Sequence, residues 1–128
     1  MLNSRESLHA QAEKKLRELG RAGCTLVLTD WVIAETGNSL ARTPARAKFP
    51  AAVRQFLQSP RAKTVYVTPA LLARALDLYA KRSDKTWGLV DCASFVVMKD
   101  EGITDAFTTD RHFEQEGFTA LMLRAGRR

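Results

Sequence analysis

Apolar positions change their spacing several times along this 128-residue chain, and each change marks an element. Leu8, Ala12, Leu16 and Leu19 share one face of a helix over residues 5–20, with Glu, Lys and Arg opposite, and Gly20 and Gly23 end it. The run CTLVLT (24–29) has a strand's length, and Thr29 or Asp30 caps a helix that continues to about Leu40. A basic connector, ARTPARAKFP, leads into a helix over about 51–58. The turn SPRAK enters a strand TVYVT (64–68), and Thr68-Pro69 opens a helix to about Lys81 with proline at its first position. After the polar loop KRSDKTWG, residues 88–100 form a helix that is apolar nearly all round, and Gly102 breaks it. A strand TDAFTT (104–109), a helical turn RHFEQEG and a strand FTALMLR (118–124) complete the pattern.

Strand and helix alternate with short connections, which predicts a single α/β domain over 1–128: three layers, with a parallel sheet covered by helices on both faces. Sheets of this kind bind ligands outside the carboxyl ends of their strands. No apolar run approaches the ~20 residues that span a bilayer. The opening MLNSRESLHAQAEKK lacks a signal-peptide core, so a cytoplasmic protein with no membrane segment is expected.

Three carboxylates interrupt apolar elements at that edge. Asp91 lies in the first turn of the apolar helix, among Leu89, Val90, Cys92 and Phe95. A charge there must be paired, hydrogen-bonded or bound to a cation, or it costs several kcal/mol; capping of the helix by backbone N–H groups is the plainer alternative. Glu35 falls off the main apolar arc of its helix, Val32, Ile33, Thr36 and Leu40, and lies beside Trp31 and Asn38 at one-turn spacing; a solvated glutamate is its plainer alternative. Asp110 closes the strand 104–109, where it either caps the next helical turn or joins the other two. Asp105, five positions earlier, points to the opposite side and reads as surface. Carboxylates that converge repel one another unless a cation neutralises them, and hard oxygen donors select Mg²⁺ or Mn²⁺. Such a centre holds a phosphate oxygen, activates water and stabilises a leaving oxygen.

The net charge of +6 changes the picture by favouring a polyanionic partner, although three of those charges lie in the tail RAGRR and solubility alone would also account for them. A basic protein with an acidic metal cluster describes a metal-dependent nuclease. Other chemistry is poorly supported. Cys24 and Cys92 lack metal-ligand spacing and read as buried reduced thiols, His112 and His9 have no companion ligand nearby, and GRAG (20–23) is a helix stop rather than a phosphate loop.

In this order and spacing, TDWVIAETGNSL, DKTWGLVDCASFVVMKDEGITDAFTTD and RHFEQEGF resemble the PIN-domain family, in particular the VapC-type toxins of toxin–antitoxin pairs, over essentially the whole chain. The resemblance implies Mg²⁺-dependent ribonuclease chemistry, with RNA and a cognate antitoxin as partners. Glu35, Asp91 and Asp110 would be three of the family's four acidic residues, Thr108 the hydroxyl of its Thr-x-Asp element, and Asn38 a neighbour. Trp87, Arg42, Arg46, Lys48 and Lys85 would be candidates for RNA contact. The family also opens with a central strand that supplies the first acidic residue, and no Asp precedes Asp30 here; Gly88 and Val90 stand where small hydroxyl residues are common. The alternative implied is a catalytically impaired module that binds an antitoxin or RNA. Without the central strand, segments 24–29 and 104–109 would pair directly, be completed by a homodimer, or leave the chain poorly stable.

Overall fold

A computed structural model describes residues 14, 15, 17–106 and 111–120. The expected α/β class is what the chain adopts, with parallel strands in two compact units, Thr25–Val97 and the described residues of Met1–Cys24 and Met98–Arg128. Among the described residues no helix is long and apolar enough to cross a membrane.

The first unit begins with β1 (Leu26–Thr29), which turns directly into α1 (Asp30–Leu40). Thr29 makes that turn: it has extended backbone, and its buried Oγ1 accepts a hydrogen bond from Val32 N–H at 3.2 Å, satisfying a donor the first helical turn leaves open. A 3₁₀ turn (Pro44–Ala47) joins α1 to α2 (Phe49–Gln58), starting two residues earlier than the apolar spacing placed it. Gly37 sits in the middle of α1 although glycine costs a helix ~1 kcal/mol against alanine. A methyl group there would come within 2.9 Å of the Phe49 ring, so its absence lets the start of α2 lie close against α1.

β2 (Ala62–Val65) pairs in parallel with β1, Leu26 opposite Ala62 and Thr29 opposite Val65. The strand expected at 64–68 is therefore shifted two residues back. The reason lies in its partner. β1 leaves the sheet at Asp30, and the next outgoing donor, Val67 N–H, is taken by Asp30 Oδ1 at 2.8 Å instead of by a strand carbonyl. Asp30→Ala is expected to cost about 1–3 kcal/mol by orphaning that part-buried N–H, whereas Asp30→Asn should keep most of the stability; urea melts of the two variants check this.

Thr68 caps α3 (Pro69–Lys81) by accepting from Leu71 N–H, and α4 (Leu89–Asp100) follows a loop. Leu71, Val96 and Val97 form a buried cluster with Val27, Val65, Val67 and Leu78 against it. Val27 and Val65 lie on one face of the strand pair, since residues two apart, or directly opposite, share a face. Thus α3 and α4 cover that face.

In the second unit, helical residues 17–21 are described, while the rest of the helix expected over 5–20 lies outside the described residues apart from 14 and 15. β3 (Asp105–Ala106) and β4 (Thr119–Ala120) pair in parallel, with α5 (Arg111–Gln115) between them in the chain. Each strand is launched by a glycine with positive φ, Gly102 at 68° and Gly117 at 100°. In each case the glycine N–H and the next N–H bond back to carbonyls three and five residues earlier, which closes the helix end and frees the chain to extend. Lys99 and the largely buried Glu116 form an ion pair that spans this unit, with Glu116 Oε2 buried and without a hydrogen-bond partner.

Candidate functional site

Asp91 is placed by the first turn of α4. Its Oδ2 accepts from the backbone N–H of Gly88, just before the helix, at 3.2 Å, and Gly88 in turn accepts the first helical hydrogen bond from Cys92 N–H. An acidic side chain reaching back three residues in this way is half of a capping box. The hydroxyl that would complete it is absent because the preceding residue is glycine. The side chain is half-buried, while Cys92, Ala93, Phe95 and Val96 beyond it are buried. The capping alternative and the ligand reading therefore share one geometry: the cap fixes how the carboxylate is presented.

The loop before Asp91 is clamped. Arg82, at the end of α3, holds both carboxylate oxygens of Asp84, Nε to Oδ1 at 3.0 Å and Nη2 to Oδ2 at 3.2 Å. Hydrogen bonding to Arg82 keeps the Asp84 carboxyl below its ordinary range against an opposing desolvation, and the Arg82 and Lys85 charges add to the lowering. The same guanidinium lies over the Trp87 ring, 5.0 Å from its centroid, and Trp87 meets Phe95 edge-on at 5.0 Å and 74°. Trp87 is only 4% exposed. This corrects the expectation that it contacts RNA: a ring packed on Phe95 and covered by Arg82 has no face to offer a base. It is a core anchor for the loop that carries Gly88.

Glu35 is exposed on α1, as are Asn38 and, just past the helix, Arg42. The three-residue spacing puts Glu35 and Asn38 in one stripe on the helix, and Arg42 follows in the turn beyond it. Within α1, Thr36 donates to Val32 O and Ser39 to Glu35 O, so the backbone around Glu35 is tied locally. Asp110 and Thr108 lie outside the described residues. Among the described residues no three His, Cys, Asp or Glu side chains converge as a metal cluster. Asp105 is exposed, as expected. Neither cysteine forms a disulfide; Cys92 is buried, but Cys24 is exposed, contrary to the expectation for it, because it lies in the extended link between a helix end and β1.

The residue that sequence reasoning missed is Asp30. It reads as an alternative cap, yet it ties the chain after β2 to the end of β1, the edge from which α1 and Glu35 depart. Only an Asp next to a capping Thr hinted at a second task.

Compared with known proteins, residues 1–118 match the family described as PIN domain. Among solved structures the chain is similar to Mycobacterium tuberculosis VapC20, described as a sarcin-ricin loop cleaving toxin, with 26% identity and a TM-score of 0.69 over 80% of this chain and 79% of that one. Among curated proteins none matches.

Proposed function

The chain belongs to the PIN-domain family, and from that premise we propose that it is a VapC-type endoribonuclease, the toxin of a toxin–antitoxin pair, hydrolysing RNA phosphodiesters in the cytoplasm under the control of a cognate antitoxin. The observation that carries the reading is the family match over 1–118, with Glu35, Asp91 and Asp110 in the segments that resemble its acidic motifs. The likeness to a toxin described as sarcin-ricin loop cleaving supports a nucleolytic toxin.

Glu35, Asp91 and Asp110 would hold Mg²⁺ or Mn²⁺, with Thr108 and Asn38 as hydrogen-bonding neighbours. Their oxygen donors suit these hard cations. When bound, the ion supplies charge neutralisation at the phosphate and an acidified water. The residues' own contribution is placement. Gly88 N–H holds one Asp91 oxygen, which limits rotation of the carboxylate at the start of a buried helix. Glu35 presents an exposed carboxylate from a helix seated at the end of β1, able to accept a proton from an attacking water.

Millimolar Mg²⁺ or Mn²⁺ is expected to raise the melting temperature relative to EDTA. Binding to the folded state alone contributes ~2.7 kcal/mol at a hundredfold excess over Kd. Thermal melts of the wild type and of Asp91→Asn check this. No shift in the wild type, or the same shift in the variant, would remove the shared-cation reading.

A further inference from the structure

The positive charge of this chain is segregated. Of its twenty basic residues, seven lie in residues 36–76, and none of its fourteen acidic residues does. The remaining thirteen basic residues are slightly outnumbered by the acidic ones, so the whole excess of +6 comes from this stretch. The stretch falls within one compact unit, from the second half of α1 through the 3₁₀ turn, α2 and β2 into α3. Its charges are on the outside: Arg42, Arg46, Lys48 and Arg54 are all exposed. Three of them crowd into seven consecutive residues around the 3₁₀ turn between α1 and α2. Arg46 Nη1 donates to the carbonyl of Ala41 at 3.1 Å, which folds its side chain back toward the end of α1, next to Arg42.

A merely soluble surface does not need this arrangement, because solubility is served by mixed charges. A run with no acidic residue of its own suits a chain of regularly spaced anions. The stripe on α1 gives that chain a direction. Glu35 and Asn38 share one side of the helix, and Arg42 follows just beyond its C-cap, Ala41, where the turn begins. We propose that the sugar-phosphate backbone of single-stranded RNA runs from Glu35 along this stripe to the turn 42–48, and that Arg42, Arg46 and Lys48, with Arg54 beyond them, are its phosphate-binding surface. The assignment rests on the ribonuclease reading for its choice of polyanion. It replaces the scattered set expected from sequence: Lys85 lies outside the stretch, and Trp87 is in the core.

The test is anisotropy of a labelled 20-nucleotide single-stranded RNA of mixed sequence, titrated in EDTA across a salt series with the full chain. The combined variant Arg42→Ala, Arg46→Ala, Lys48→Ala is compared with a charge-matched one, Lys14→Ala, Arg17→Ala, Arg21→Ala, whose residues are also exposed. Each phosphate contact contributes about 0.7 to the salt slope on single strands, so the first variant should flatten the slope by about 2 and bind at least tenfold more weakly at low salt. The second should change both much less. If the first set perturbs folding by circular dichroism, Arg42→Glu alone supplies the same comparison. Equal losses in both sets would mean a net-charge effect and overturn the proposal. So would binding of poly-glutamate as tight as that of RNA, which would assign the surface to an acidic protein. Cleavage of the same RNA in Mg²⁺ is scored separately. A wild type that cuts, with binding indifferent to the turn, removes the surface and keeps the ribonuclease. A wild type that binds through the turn and cuts nothing keeps the surface and removes the ribonuclease.

Discussion

Asp91→Asn is expected to lower Mg²⁺-dependent RNA cleavage by roughly a thousandfold, equivalent to about 4 kcal/mol of lost transition-state stabilisation, with little change in folding stability. The two halves of this result come from separate properties of one side chain. Asparagine keeps an oxygen that can accept from Gly88 N–H, so the helix cap survives the substitution. What it lacks is the negative charge that a divalent cation needs. Single-turnover cleavage and a urea melt on the same sample separate the roles. Loss of stability with activity intact would make Asp91 a cap only, and the catalytic reading would have to rest on other residues. Glu35→Gln should behave alike in cleavage, and its exposed position predicts an even smaller effect on stability.

Trp87→Ala should destabilise the first unit by about 3–5 kcal/mol, as expected for a buried large aromatic. Three contacts fail together: the edge-on packing against Phe95, the face beneath Arg82, and the burial of the indole itself. Because Trp87 precedes Gly88, the N–H that steadies Asp91 should loosen as well. Trp87→Phe keeps an aromatic ring and should recover most of the stability and, with it, the cleavage rate. RNA affinity should be the same in Trp87→Phe as in wild type, since the ring is inside. A selective loss of RNA binding in a fully folded Trp87→Phe protein would return this residue to the RNA surface and refute the core assignment.

The sequence alone determined helices α1, α3 and α4 and the threonine caps that start two of them. Thr29 and Thr68 cap α1 and α3 through bonds to residues three positions on, and Gly102 closes α4 within five, so everything that decides them lies inside one or two turns. The candidate carboxylates stood out for a similar reason: a lone carboxylate in an apolar run is anomalous wherever the run folds. The limits of β2 were not legible, because a strand ends where its partner leaves, and β1 leaves at a Thr-Asp pair thirty-odd residues upstream. Nor was the second task of Asp30, whose bond to Val67 N–H joins residues 37 apart. Trp87 in a polar loop, KRSDKTWG, looks like a surface aromatic until α4 brings Phe95 beneath it and Arg82 folds over it. Gly37 looks like a weakness in α1 until Phe49 occupies the space its missing side chain leaves. Local preferences are set by backbone geometry within a turn and can be read residue by residue. Burial, register and the direction of a long side chain depend on what arrives from elsewhere in the chain, and only the packed structure decides them.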